Sequence, residues 1–157
     1  MHRPAYTVHR AAPLKVTDLP VGLAAVELQW NTGRMIDAAK AFSGFSVRQI
    51  PEAKAFYEGV LGLPVTEEHG MLWIDVGTDH RVLLYAKGAT HEPASFTVLN
   101  FPVADVDTAV DELKAKGVEF LHYDGMTDSK GVNRHGGPLI AWFTDPSGNV
   151  LSVLATP

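Results

Sequence analysis

Residues 141–154 read Ala141-Trp142-Phe143-Thr144-Asp145-Pro146-Ser147-Gly148-Asn149-Val150-Leu151-Ser152-Val153-Leu154. Two runs of aromatic, aliphatic and β-branched side chains flank Asp-Pro-Ser-Gly-Asn, which specifies an antiparallel hairpin. Pro146 presets φ for the turn, and Gly148 accepts the positive φ that closes it. The Asp145 carboxylate is placed to bond backbone N–H groups of its own turn, which is turn chemistry rather than acid catalysis. A hairpin alone is scaffold. This one matters because its context occurs twice.

Upstream, Ala41–Val47 reads as a strand, and Pro51 opens a helix that carries Ala53, Phe56, Tyr57 and Val60 on one face and stops at Gly62. Strand patterns follow at Pro64–Glu67, Met71–Val76 and Arg81–Ala86, and Gly88–Pro93 is a connector. The order then restarts. Phe96–Val103 is a strand, and Asp105 or Asp107 caps a helix bearing Val106, Ala109, Val110 and Leu113, which Gly117 ends. Val118–Tyr123 reads as a strand, residues 124–138 form a Gly-rich segment, and the hairpin closes the chain. Gln49 and Ala53 precede Asp105 and Ala109 by 56 positions each, whereas Trp73 precedes Trp142 by 69. The second copy therefore holds about 13 extra residues, which the 124–138 loop absorbs. A repeated β-α-β-β-β order is the mark of an internal duplication.

The composition limits the function. The chain has 157 residues, 46% of them hydrophobic and 20% charged, and a formal net charge of -5, with no basic stripe to neutralise phosphates. Nucleic acid is not an expected partner. With no cysteine, thiolate catalysis, disulfides and Cys-based metal centres are excluded. No 18-residue apolar run exists, so no membrane span is expected and the cytoplasm is the default location. Residues 1–34 carry Pro4, Pro13 and Pro20 and read as a loosely ordered N-terminal extension ahead of a 35–157 domain. Module one of that domain spans residues 40–88 and module two residues 95–155.

Three stretches resemble the vicinal oxygen chelate superfamily, which includes glyoxalase I, extradiol dioxygenases, fosfomycin-modifying enzymes and bleomycin resistance proteins. Phe56-Tyr57-Glu58-Gly59-Val60-Leu61-Gly62-Leu63 is similar to the first-helix signature of that family. Val103-Ala104-Asp105-Val106-Asp107, continuing to Lys116-Gly117-Val118-Glu119-Phe120, resembles the second, and Trp142–Asn149 the closing hairpin. The resemblance implies an α+β fold in which two βαβββ modules form a curved mixed sheet around a shared concave pocket. It also implies pairing into a homodimer. Family enzymes hold a divalent metal on His or Glu of the first and fourth strands of each module. Those sites fall here on Phe42 and Leu83 (the latter to within one residue), and on Val98 and Ser152. Only the Ser152 hydroxyl is a donor at all, and a feeble one, where three or four N, O or S ligands are needed. The expected cofactor is therefore none, and the implied function is metal-free binding of a small molecule, of the drug-sequestering kind.

Strand alternation then proposes the pocket. If Phe42 and Val98 face inward, so do Gly44, Ser46 and Asn100. Asn100 is expected to be a buried amide that either bonds backbone or orients a ligand. Trp73, Tyr85, Tyr123 and Trp142 supply aromatic walls, Ser152 a hydroxyl, and His135 a polar group on the 124–138 loop, which is expected to act as a lid. Two rival readings stay open. One is a metal-dependent lyase, isomerase or dioxygenase with ligands relocated to His69, His122 or His135. The other is a metal-free enzyme using His135 or Tyr123 as acid or base.

Overall fold

The computed structural model describes residues 36–78 and 80–156. The expected N-terminal extension, residues 1–34, lies outside the described residues. Every element below belongs to one compact unit, Ala38–Pro157.

The first module runs β1 (Ser43–Val47), α1 (Ile50–Lys54), β2 (Val65–Glu68), β3 (Met71–Gly77) and β4 (His80–Ala86). The second runs β5 (Thr97–Val103), α2 (Val106–Ala115), β6 (Val132–Asn133), β7 (Ile140–Thr144) and β8 (Val150–Ala155). Each module folds into its own four-stranded mixed sheet, in the orders β1-β4-β3-β2 and β5-β8-β7-β6. β1 is parallel to β4 and β5 parallel to β8, and the other neighbours are antiparallel. The duplication is thus expressed in topology as well as order. The two sheets are not joined, since β1 and β5 each end their own sheet.

The two helices differ in regularity. Asp105 is the N-cap of α2, accepting the Thr108 N–H at 2.7 Å, and Asp107 lies inside the first turn. The first helix is α-helical only to Lys54 and continues as a π-turn over Ala55–Val60, with the Leu61 N–H bonded to the Phe56 carbonyl. Gly62, at φ 72°, then turns the chain out towards β2.

The strand expected at Val118–Tyr123 is not continuous. Phe120 makes an isolated bridge to Phe143 and the Leu121 N–H bonds the Trp142 carbonyl at 2.7 Å. The next rungs along β7, at Ala141 and Ile140, are taken by Val132 and Asn133. Residues 122–131 therefore leave an edge strand and rejoin it one rung later. The 124–138 insertion displaced this pairing, and its return begins at Gly131, at φ 88°, whose missing side chain would meet Phe120 Cβ at 3.0 Å.

One core serves both modules. Alternation sends Leu72, Ile74, Val82 and Leu84 of the first sheet, and Ala141, Phe143, Leu151 and Val153 of the second, to the side where the helices pack. Tyr57 and Phe56 of the first helix reach across, with the Phe56 and Phe143 rings 6.5 Å apart. Among the described residues, no helix is long and apolar enough to cross a membrane.

Candidate functional site

The opposite faces of the two sheets are the open ones. On the first sheet, register places Gly44 beside Leu83, Ser46 beside Tyr85, and Trp73 beside Leu83 on one face, as alternation predicts. Phe42 stands edge-on to Trp73 with ring centroids 4.8 Å apart, and the Arg81 guanidinium lies 4.5 Å over the same indole. These three residues line a cleft of about 300 Å³ with residues 39–41. Phe42 is 59% exposed and Tyr85 42% exposed, so this is an aromatic surface open to solvent.

Arg81 is a residue that sequence reasoning passed over, although it lies two positions before Leu83 on the same face. Its Nε is shielded from water and lies 3.3 Å from Asp75 Oδ1, yet makes no hydrogen bond in that geometry. Glu68 approaches a terminal nitrogen at 3.8 Å. The two carboxylates flank the guanidinium over Trp73, where the ring face attracts the cation.

On the second sheet, Asn100 pairs with Ser152 and Trp142 pairs with Ser152 from the other side. The Ser152 hydroxyl donates to Asn100 Oδ1 at 2.6 Å, and Tyr123 stands edge-on to Trp142 at 5.6 Å. Asn100 is exposed rather than buried, because β5 ends its sheet and Asn100 faces its open side. Its carboxamide nitrogen takes no partner among the described residues, which leaves it available to a ligand. Ser152 lies beneath it, fully buried.

The candidate residues therefore form two groups, one on each sheet: Phe42, Trp73, Tyr85 and Ser46, and Asn100, Ser152, Trp142 and Tyr123. His135 joins neither by any bond; it is exposed, its N–H accepted by the Asn133 side chain. Nor does its loop hang free as a lid. Asp128 accepts the N–H groups of Lys130 and Val132 together with Arg134 Nε at 2.6 Å, and Arg134 grips Asp107 of α2 with both terminal nitrogens. Lys130 adds a bond to Asp111. The Val132 N–H, then Arg134, holds the Asp128 carboxyl down at about 2.

Ser46 points to a second surprise. His91, nearly buried, sits between modules with Nδ1 3.0 Å from Ser46 Oγ and Nε2 3.1 Å from the Ser147 carbonyl. A carbonyl only accepts, so Nε2 carries the proton and Nδ1 accepts from Ser46. Beside it, Asn149 donates to the Ser46 carbonyl and Ser147 Oγ accepts the Arg48 N–H. The Asp145 carboxylate accepts the N–H groups of Ser147 and Asn149, the Asn149 amide and the Tyr57 hydroxyl. Burial first, then the Asp145 charge, drives the Tyr57 phenol upward, so it remains a donor. The closing hairpin thus joins the modules. His91 gave no signal in sequence, since its partners lie 45 and 56 residues away.

The positions where the fold family carries metal do not fit a metal. Phe42, Leu83 and Val98 offer no donor, and the Ser152 hydroxyl is spent on Asn100. Among the described residues no three His, Asp or Glu side chains converge.

The sequence profile of the Glyoxalase/Bleomycin resistance protein/Dioxygenase superfamily matches residues 41–153, and the chain belongs to that superfamily. Comparison with curated proteins finds no match. Among solved structures, the chain is similar to TnmS3, an antibiotic binding protein from Streptomyces sp. CB03234. Identity is 26% over 80% of this chain and 100% of that one, with a TM-score of 0.52. It shares its fold with a lactoylglutathione lyase from Agrobacterium tumefaciens (19% identity, 72% and 90% coverage, TM-score 0.54). The same holds for the fosfomycin resistance protein FosX from Mesorhizobium loti (14%, 74% and 91%, 0.54).

Proposed function

We propose that this protein binds a small planar aromatic molecule without a metal and sequesters it rather than transforming it. The observation that carries this reading is the Phe42–Trp73–Arg81 corner, an exposed aromatic floor with a cation fixed over it. Such a surface attracts a flat ligand by stacking. The likeness to an antibiotic binding protein supports binding of a small molecule. Exposed Tyr85 on one open face and Tyr123 on the other favour a homodimer in which a second copy covers these two rings. A protein without cysteine suits the cytoplasm.

The test is metal content by elemental mass spectrometry, melting before and after chelator, and fluorescence titration with a panel of planar aromatic antibiotics. Metal below one-tenth equivalent, unchanged melting and saturable quenching that Trp73→Ala weakens at least tenfold are expected. One equivalent of zinc, nickel, iron or manganese with chelator-sensitive melting would overturn the reading. Sedimentation velocity reads the oligomer, with a dimer expected.

A further inference from the structure

A second cavity lies on the other side of the sheets. It measures about 210 Å³ and opens between the end of the first helix and α2. Leu61 and Leu63 wall it from module one, Phe101, Val103 and Phe143 form its floor, and Leu113 closes the α2 side. Alternation puts Phe101 and Val103 on the face opposite Asn100, and Phe143 opposite Trp142, so none of this surface belongs to the open-face site.

Its size and lining decide what can enter. The cavity is open to solvent at its mouth, unlike the few small voids that native interiors enclose, so a guest can enter without the core opening. An apolar cavity of about 150 Å³ lined by Leu, Ile and Phe is known to stay dry and take up benzene. Leu61, Leu63, Phe101, Val103, Leu113 and Phe143 offer water no partner, and Glu112 and Lys116 are the polar side chains of the lining. The first helix ends beside the gap in the π-turn at Ala55–Val60, and Leu61 and Leu63, which follow it, line the wall. Rare π-turns concentrate at functional sites. Across the gap α2 presents Ala109, where a longer side chain would have filled it.

At the rim stand Glu112 and Lys116, one turn apart on α2 and opposite in charge. Lys116 Nζ donates to the Val60 carbonyl at 2.8 Å, tying the end of the π-turn to α2 across the mouth. An ionised guest gains nothing at a rim whose charges cancel. We infer that this cavity is a second binding site, for a small uncharged aromatic molecule of about six to ten non-hydrogen atoms. One polar group on the guest would meet Lys116 or Glu112 at the mouth.

Indole and benzene are the probes, titrated into the full chain with methyl-labelled Leu and Val and followed by NMR. Saturable shifts at Leu61, Leu63, Val103 and Leu113 are expected, unchanged in Trp73→Ala. Ala109→Leu, which fills the space, should weaken both probes at least tenfold while keeping or raising the melting temperature. Shifts that appear only on the open faces, or that persist in a folded Ala109→Leu, would overturn the site. Should that variant fail to fold, crystals of the unaltered protein under xenon pressure decide: xenon density among these side chains supports the site, and none overturns it.

Discussion

Asp145 shows what a single turn residue can be asked to do. Its carboxylate gathers four donors, two from its own turn, one from Asn149 and one from Tyr57 of the other module. Replacing it with Ala strands buried donors, each costing about 1–3 kcal/mol when unpaired. We expect Asp145→Ala to lose about 3–5 kcal/mol in urea unfolding, because several of those neutral donors lose their acceptor together. Tyr57→Phe, which deletes one hydroxyl and keeps the ring, should lose only about 1–2 kcal/mol. Equal losses would show that the phenol, not the carboxylate, holds the junction. The role of Asp145 in its own turn was legible, because Asp-Pro-Ser-Gly-Asn is a local signal. Its bond to Tyr57, 88 residues away, was not, and neither was the place of His91. The same distinction separates Trp73, which the sequence offers as an aromatic wall, from Arg81, whose surroundings appear only once Asp75 and Glu68 are seen beside it.

Among the elements, the 122–131 excursion and the strap behind it departed most from expectation. Hydrophobic periodicity foresaw a strand at 118–123 and a free loop after it, since a pattern of side chains cannot say where pairing resumes. The strap is electrostatic and therefore titrates. Asp128 is depressed to about 2, so its contribution to holding the loop is complete above the ordinary carboxylate range near 4 and fades as pH falls through 2. Asp107 is lowered in the same direction, chiefly by its bonds to Arg134. Amide NMR should show Lys130 and Val132 shifting together with a midpoint near pH 2, and Asp128→Asn should abolish the transition. A midpoint near 4 would mean that the carboxylate is not held. Because these groups are exposed, Arg134→Ala should raise protease cleavage within 122–131 far more than it lowers the melting temperature.

At the scale of the molecule, two modules share one core, and they should unfold as one. Trp73 reports on the first sheet and Trp142 on the second. In single-reporter variants of each, with Trp30 also replaced by Phe, fluorescence and far-UV circular dichroism midpoints are expected to coincide. Phe143→Ala, at the contact with Phe56, should lower both by the same amount, about 3–5 kcal/mol. Separate midpoints would make the modules independent. The order of elements and their duplication were legible because period and turn residues are local. The division into two unjoined sheets was not, since it depends on which strand edges meet. The excursion of residues 122–131 has one more implication, for how such a chain changes over time. It departs from and returns to adjacent rungs of an outer strand, so its two ends sit side by side. Chain added between them lengthens the protein without disturbing the ladder or the core. This is where the protein can grow, and where a reporter domain spliced in for use as a sensor would leave the fold intact.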